Sequence, residues 1–128
     1  MNRYQSRIAV LLAVLISCSL TIGAAADGKN RYALVIGNGE YQTMTRLANP
    51  VNDATDIATE LVGFGFNVDL VTNATLGEMT RSVNQFVSTI GRAQDVEAAL
   101  FYYAGHGVQY DGSNYLIPVN MDIRSSYE

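Results

Sequence analysis

Residues that bind metals or form covalent cross-links are scarce in this sequence. Its 128 residues include one cysteine and one histidine, and tryptophan is missing altogether. A single cysteine cannot close a disulfide within the chain, and one cysteine with one histidine provides too few ligands for a structural zinc site. We therefore expect no internal disulfide, no metal site and no cofactor.

Positive charge is also sparse. Eight Lys and Arg residues stand against twelve Asp and Glu, which gives a formal net charge of −4 and a pI near 4.8. An acidic chain without a cluster of basic residues is a poor partner for nucleic acid or for an anionic membrane surface. Apolar residues are abundant: 48% of the chain is hydrophobic and 16% is charged, which is typical of one packed domain.

The N-terminal segment has the features of a secretory signal peptide. Two arginines precede an apolar run at residues 8–22, and the small residues Gly23–Ala26 follow it. This order of charged start, apolar core and small-residue cleavage site predicts the removal of residues 1–26. We expect cleavage after Ala26 to release a mature domain, residues 27–128, into the periplasm or the medium, with no stable membrane association.

Two other fates of this segment stay open. The first is an uncleaved membrane anchor, although the apolar run is shorter than the roughly 20 residues that a spanning helix needs. The second is lipid attachment at Cys18, because Leu15–Cys18 resembles a bacterial lipobox. The apolar run continues past Cys18 to Ile22, and we therefore rank lipidation below cleavage.

Beyond this segment, strand patterns alternate with helical patterns. Residues 32–36 and 98–103 are continuous apolar runs, which favour strands buried on both faces, and residues 66–71 form a predicted strand between them. Helical patterns occupy the two intervals. The resulting order is βαβαβ in a single domain without repeats or linkers.

Both helices carry sequence signals at their ends. Asn49 is predicted to cap a helix that begins at Pro50, where the missing N–H costs nothing, and Gly63 ends it. Thr75 and Glu78 have the spacing of a capping box for the second helix. The apolar residues at helical spacing, expected to face the sheet, are Val51, Ala54, Ile57, Ala58, Leu61 and Val62 in the first helix and Met79, Val83, Phe86, Val87 and Ile90 in the second.

The strand order predicts where ligands bind. Right-handed crossovers place helices on the faces of a parallel sheet, and ligands bind beyond the carboxyl ends of its strands. The loops Gly37–Gly39 and Gly105–Gly107 are therefore candidate binding loops, and a short hairpin follows at residues 110–118. Three parallel strands leave an apolar edge open, so we expect the fold to be unfinished or to pair with another chain through this edge.

His106 is the candidate catalytic residue. It lies between two glycines, directly after a strand that is predicted to be buried. Neighbours without side chains leave the imidazole open and the Gly107 N–H within reach of a substrate oxygen. A lone histidine is more often structural, but this position and these neighbours favour a general acid or base that works near neutral pH.

Three blocks of the sequence closely resemble the caspase-like cysteine peptidases of bacteria, the metacaspase-like branch of the caspase superfamily (peptidase C14). They are Tyr32–Asn38, Asn49–Ala54 and Leu100–Gly107, in the order and spacing of the large-subunit half of that fold. The resemblance runs from about Arg31 to the end of the chain. It implies a three-layer α/β/α sandwich with a mostly parallel sheet, truncated here after the third strand and a short hairpin. It also implies cysteine-type endopeptidase activity on peptide or protein substrates.

The resemblance assigns roles to three residues. His106 matches the histidine of the family's Cys–His dyad, which moves a proton between the thiol and the leaving amine. Gly107 matches the glycine whose backbone N–H helps to form the oxyanion hole. Asp53 matches the acid that lines the S1 pocket and selects Arg or Lys, although an Asp in the first turn of a helix also suits the helix dipole. Asn38 and Asn52 lie in matching blocks, where we expect loop and cap hydrogen bonds rather than substrate contacts.

The family's nucleophile is missing from the sequence. The cysteine is expected about 50 residues beyond the histidine, near position 156, and Cys18 lies in the predicted signal peptide. The second S1 acid, expected beside that cysteine, is missing as well. We expect a fragment of a longer peptidase that is inactive by itself. The alternative is a non-catalytic peptide-binding or interaction module.

Two other interpretations fit the residues less well. Gly37–Gly39 after a strand would be compatible with nucleotide binding, but Gln42 stands where a dinucleotide fingerprint has its third glycine. A phosphate loop would need a Gly-Lys-Ser/Thr sequence, which the chain does not have. A receiver-type signalling domain shares the βαβαβ order, but it needs acidic residues where this chain has Asn38 and His106.

Overall fold

The architecture follows the predicted alternation of strands and helices. The computed structural model describes residues 30–122, so the predicted signal peptide and Cys18 lie outside the described residues. The predicted element order and the hairpin are confirmed, with the ends of elements shifted by one to three residues. Within the described range, no helix is long and apolar enough to cross a membrane. In chain order the elements are β1 (Arg31–Gly37), α1 (Pro50–Gly63), β2 (Asn67–Thr72), α2 (Leu76–Arg92), β3 (Ala98–Ala104), β4 (Gly107–Tyr110) and β5 (Ser113–Leu116).

β1 is the central strand of a parallel three-stranded sheet with the order β2-β1-β3. The last residues of the three strands, Gly37, Thr72 and Ala104, are aligned side by side. All three strands therefore end at the same edge of the sheet, which we call the carboxyl edge. This alignment brings the loop after β1 close to the loop after β3, as expected for a parallel sheet.

The two faces of β1 are covered by different helices. Side chains alternate along a strand, so a strand that is apolar at successive positions is buried on both faces. The result is a three-layer α/β/α arrangement, which confirms the predicted fold class. The buried residues are Ala33, Val35, Ala54 and Ala58 on the α1 side and Leu34, Ile36, Ala74 and Met79 on the α2 side.

The two helices begin in different ways. At α2, the Thr75 hydroxyl accepts a hydrogen bond from the Glu78 N–H, and the Glu78 carboxylate accepts one from the Thr75 N–H, which confirms the predicted capping box. At α1, Pro50 lies in the first turn as predicted, but Asn49 makes no side-chain cap bond, so that prediction is wrong. The reason is that Asn49 has helical backbone angles, φ −99° and ψ −26°, instead of the extended conformation that directs a capping side chain at the first turn.

The apolar faces of the helices are less buried than their spacing predicts. Val62 of α1 is 60% exposed and Val87 of α2 is 56% exposed. On the edge strand β3, predicted to be buried on both faces, Phe101 is 46% exposed. Among the described residues the sheet has three strands, and such a narrow sheet offers too little apolar surface to cover the full stripe of each helix. Side chains at the margins of the stripes are therefore left in contact with solvent.

Asn38 is a buried polar residue that joins the end of β1 to three other segments. Its side-chain oxygen accepts a hydrogen bond from the Ala74 N–H at 2.8 Å, and its side-chain nitrogen donates to the Ile117 carbonyl at 3.3 Å. Its own N–H donates to the Ala104 carbonyl at 2.8 Å. The loop after β2, the end of β3 and the segment after β5 are thereby held around one buried amide. These are the loop hydrogen bonds expected for Asn38.

We predict that Asn38→Ala lowers the free energy of unfolding by about 1–3 kcal/mol, because it leaves the Ala74 N–H buried without this acceptor. Chemical denaturation of the chain, followed by circular dichroism, measures the change. Asn84→Ala, at an exposed position of α2, is the matched control and should change stability by less than about 0.5 kcal/mol. Equal effects of the two substitutions would contradict the role of Asn38.

Candidate active site

His106 lies in the connection between β3 and β4, at the carboxyl edge of the parallel sheet. The residue is partly buried. The loop after β1, residues 38–49, contacts it from one side, and the segment after β5 contacts it from another. The structure therefore places the predicted catalytic histidine where ligands bind in folds of this class.

The imidazole of His106 is fixed by one hydrogen bond and one ring contact. Its Nε2 lies 2.8 Å from the Thr45 carbonyl oxygen, and its ring packs against Tyr41 with 4.5 Å between the ring centroids. A carbonyl oxygen can only accept a hydrogen bond, so Nε2 carries a proton and donates it. In the neutral ring Nδ1 is then the unprotonated nitrogen. It is the atom that can take a proton from a reacting group.

Hydrogen bonds also hold the backbone of His106 on both sides. Its N–H donates to the Tyr41 hydroxyl at 2.7 Å, and its carbonyl accepts a hydrogen bond from the Tyr103 hydroxyl at 2.9 Å. The N–H of Ile117 donates to the same carbonyl at 3.0 Å. The position of the histidine therefore depends on three hydrogen bonds in addition to that of its side chain.

The Tyr103 hydroxyl is held in its protonated form. Burial is the main cause that raises the pKa of Tyr103 well above its usual value, and the hydrogen bond with Tyr41, 3.1 Å between the two hydroxyl oxygens, acts in the same direction. A neutral phenol keeps the proton that it donates to the His106 carbonyl. This donor therefore persists across the pH range in which a histidine serves as an acid or a base.

The two glycines beside His106 have different structural roles. A Cβ at Gly105 would lie 2.5 Å from the Tyr103 hydroxyl oxygen and 2.6 Å from that of Tyr41, so glycine is needed to leave room for both hydroxyls. A Cβ at Gly107 would meet a single backbone atom at 3.5 Å, which is an ordinary contact. Glycine at position 105 was predicted to leave space around the imidazole. The structure shows that it is needed to leave space for the hydroxyls of Tyr41 and Tyr103.

The Gly107 N–H points away from the strand that pairs with β4. In an antiparallel pair, hydrogen-bonded and non-hydrogen-bonded positions alternate, starting here from the hydrogen-bonded pair Tyr110 and Ser113 that flanks the two-residue turn. Counting back places Gly107 and Leu116 at a non-hydrogen-bonded position. The N–H is therefore directed outward from an exposed residue next to His106, which is what an oxyanion donor requires.

Asp53 lies in the first turn of α1, the helix that begins at the carboxyl edge. It is exposed, as is Asn52, and its N–H donates to the Asn49 carbonyl at 2.9 Å within the turn. A carboxylate in this position is favoured by the helix dipole, and its exposure also leaves it accessible to a basic group of a ligand. The structure thus brings His106 and Gly107 together, and it places Asp53 at the same edge.

Three residues that hold the histidine were missed by the sequence analysis. Tyr103 belongs to a run that was interpreted as an apolar strand, and Tyr41 follows no recognised motif. Thr45 acts through its backbone carbonyl, which a side-chain pattern does not reveal. Gly105 is the signal that would have found the tyrosines, because a glycine at the end of a strand can mark a close approach of other groups.

Asn73 was also missed, and it shapes the loop that carries Tyr41. Its side-chain oxygen accepts hydrogen bonds from the N–H groups of Gly39, at 2.9 Å, and Glu40, at 3.0 Å. Its own backbone has a φ of 52°, a left-handed conformation that asparagine adopts more readily than most residues. The loop after β1 is therefore held from the loop after β2.

The described residues can provide proton transfer and stabilisation of an oxyanion. His106 offers Nδ1 for the first task, and Gly107 offers its N–H for the second. The single cysteine of the sequence, Cys18, is outside the described residues, so a thiol nucleophile is not among them. In residues 30–122, no group of three His, Cys, Asp or Glu side chains could hold a metal ion.

Comparison with known proteins identifies relatives of this chain. A family model described as "Caspase domain" matches residues 30–126. The human mucosa-associated lymphoid tissue lymphoma translocation protein 1 is 30% identical to the chain over 92 residues, and its mouse homologue shows the same identity over the same length. The matched region is 72% of this chain and 11% of each relative, so the chain spans a small part of these curated proteins.

We predict that the neutral imidazole of His106 carries its proton on Nε2, because the Thr45 carbonyl accepts a hydrogen bond there. His106 is the single histidine of the sequence, so 15N-histidine labelling and long-range 1H–15N NMR spectra at alkaline pH report its tautomer without ambiguity. The same chain in concentrated urea is the control and should show the tautomer mixture of an unconstrained imidazole, with a larger fraction of the proton on Nδ1. A folded chain with its proton mainly on Nδ1 would contradict the assignment.

Proposed function

The chain belongs to the caspase-domain family of peptidases, and we propose that it supplies the histidine and part of the oxyanion hole of a cysteine-type endopeptidase. The observation that carries this proposal is the anchored imidazole of His106, whose Nε2 is bonded to the Thr45 carbonyl and whose Nδ1 is left to exchange a proton. The outward N–H of Gly107, the next residue, supports the same function because it is available to an oxyanion.

The proposed reaction passes through a thioester. Nδ1 of His106 takes the proton of a cysteine thiol, and the thiolate attacks the carbonyl carbon of the scissile peptide bond. The Gly107 N–H stabilises the negative charge that develops on the carbonyl oxygen. The imidazolium then gives its proton to the leaving amine as the C–N bond breaks. Water, deprotonated by the same imidazole, hydrolyses the thioester and regenerates the thiol.

We place the nucleophilic cysteine in a part of the natural protein beyond residue 128. The exposed edge of β3 supports this placement: among the described residues, β3 pairs with β1 on one side, and Phe101 is 46% exposed. A further parallel strand on the open side would end at the carboxyl edge, beside Gly105–Gly107. A cysteine at the end of that strand would face His106.

For substrate choice we propose Asp53 as an acid that favours Arg or Lys at the P1 position. It is exposed in the first turn of α1, at the same edge of the sheet as His106, so its charge is available to a basic side chain. Attraction to a basic P1 residue would strengthen binding of those substrates over neutral ones.

A second candidate function is a non-catalytic module that keeps a peptide-binding groove. The observation that favours it is the position of the single cysteine, Cys18, within the predicted signal segment. The two candidates differ in turnover. A natural protein that contains this chain and binds peptides without cleaving them would be such a module.

Turnover of peptides tests the proposed catalytic function. In the longest natural protein that contains this chain, His106→Ala should lower kcat/KM about 100- to 10,000-fold for every substrate, because it removes proton transfer. Asp53→Asn should lower kcat/KM for Arg and Lys substrates selectively. Residues 1–128 alone should show no turnover. The measurement uses fluorogenic peptides with Arg, Lys or Ala at P1.

The control for Asp53 is Asp56→Asn, an exposed acid on the same helix, which should leave the ratio of Arg to Ala turnover unchanged. Full activity of the His106→Ala protein would refute the catalytic assignment. An equal loss of kcat/KM for Arg and Ala substrates in the Asp53→Asn protein would show that Asp53 acts only as a charge at the start of the helix and does not select substrates.

We further propose that the chain is exported and that residues 1–26 are removed. The charged start, the apolar run and the small residues before Asp27 support this proposal. We predict a mature N-terminus at Asp27, measured by mass spectrometry of protein from the periplasm or the medium. An intact Met1, or a lipid on Cys18, would contradict cleavage after Ala26.

A further inference from the structure

We infer that Tyr41 and Tyr103 act as a pair of positioning residues, whose hydroxyls orient the imidazole of His106 and the N–H of Gly107. This inference rests on the proposed peptidase function, because it assigns the two tyrosines to the same site. Neither side chain is placed to attack a substrate. Both hydroxyls instead contact the backbone on either side of His106.

The two hydroxyls hold the two peptide planes that meet at His106. Tyr41 accepts the His106 N–H at 2.7 Å, which fixes the peptide unit between Gly105 and His106. Tyr103 donates to the His106 carbonyl at 2.9 Å, which fixes the peptide unit between His106 and Gly107. Because a peptide unit is planar, these two contacts restrain both backbone dihedral angles of the histidine and hence the direction of its Cα–Cβ bond. The Ile117 N–H, which donates to the same carbonyl, adds to this restraint.

The contact of Tyr103 also sets the direction of the proposed oxyanion donor. The His106 carbonyl and the Gly107 N–H belong to one trans peptide unit and point in opposite directions. Holding the carbonyl therefore aims the N–H. A hydrogen bond to the carbonyl also polarises the peptide unit, which strengthens its N–H as a donor.

The hydrogen-bonding capacity of the two hydroxyls matches this arrangement. Each neutral phenol has one proton to donate and can also accept. Tyr41 accepts from His106 and can donate to Tyr103, at 3.1 Å, or to the Ile117 carbonyl, at 3.3 Å. Tyr103 has one proton and two carbonyl acceptors at 2.9 Å, those of His106 and Ile117, so it shares this proton between them. Both hydroxyls are thereby satisfied at a site where Tyr41 is 2% exposed.

Packing alone does not explain these tyrosines. Phenylalanine would fill the same volume without burying a hydroxyl, and burial of a polar group is unfavourable unless it is hydrogen-bonded. Gly105 points to the same conclusion, because a Cβ there would lie 2.5 and 2.6 Å from the two hydroxyl oxygens. The absence of a side chain at Gly105 therefore permits the two hydrogen bonds between the tyrosine hydroxyls and the backbone of His106.

The test compares Tyr41→Phe and Tyr103→Phe with Tyr102→Phe. Tyr102 is the neighbour of Tyr103 on β3, and its side chain packs on the opposite face of the sheet, against the buried residues on the α1 side. It therefore controls for loss of a hydroxyl from this strand. The first readout is amide hydrogen exchange in the chain, followed by NMR. Tyr41→Phe should accelerate exchange of the His106 N–H at least about tenfold relative to Tyr102→Phe, because its acceptor is lost.

The second readout is catalysis by the longest natural protein that contains the chain. Tyr103→Phe should lower kcat about 10- to 100-fold with KM unchanged, because the Gly107 N–H acts on the charge of the transition state. Tyr102→Phe should leave both constants unchanged. A matching loss of melting temperature with kcat retained would show that Tyr103 is structural only and would overturn its positioning role.

Two outcomes leave amide hydrogen exchange as the deciding measurement: a Phe variant that does not fold, and a natural protein without turnover. If a Phe variant fails to fold, amide hydrogen exchange of the wild-type chain still tests the hydrogen bond from the His106 N–H to Tyr41. Rapid exchange of this N–H in the folded protein would overturn the inference. If the natural protein has no turnover, the proposed peptidase function fails. The amide exchange of Tyr41→Phe then still shows whether the hydroxyl holds the histidine backbone.

Discussion

The carbonyl of Ile117 is the point on which the geometry of the site depends. Three buried or partly buried side chains lie within hydrogen-bond distance of it: Asn38 at 3.3 Å, Tyr41 at 3.3 Å and Tyr103 at 2.9 Å. Buried polar groups are costly unless they are paired, so these groups settle where all of them find partners. The N–H of Ile117 in turn donates to the His106 carbonyl. The segment after β5 thereby fixes the loop that carries His106 to the end of β1.

This constraint connects the fold with the proposed chemistry. A parallel sheet brings the ends of β1, β2 and β3 to one edge, but by itself it leaves their loops free to move. Asn38 and Asn73 tie those loops to one another, and Tyr41 extends from the tied loop onto the imidazole of His106. An acid or base is effective only when it is held in position, and the hydrogen-bonded loops provide that rigidity.

Much of this fold could be predicted from local patterns. The apolar run of β1, buried on both faces, and the capping box of Thr75 and Glu78 follow from rules that involve neighbouring residues. His106 could be placed at the carboxyl edge because the strand order fixes that position. The predictions that failed concern features set by tertiary packing. Asn49 does not cap its helix, because its backbone angles are helical. Val62 and Val87 are exposed, because the sheet is too narrow to cover them. The tyrosines were missed because most of their partners are backbone groups, which a pattern of side chains does not reveal.

The central claim is that His106 and Gly107 act together on one reacting carbonyl. A crystal structure of the longest natural protein that contains this chain, bound to a peptide aldehyde with arginine at P1, tests it most directly. The claim predicts a covalent adduct on a cysteine, with its oxygen about 2.7–3.1 Å from the Gly107 nitrogen and its sulfur facing Nδ1 of His106. An aldehyde bound without a covalent bond, or an adduct whose oxygen and sulfur lie away from these two residues, would contradict it.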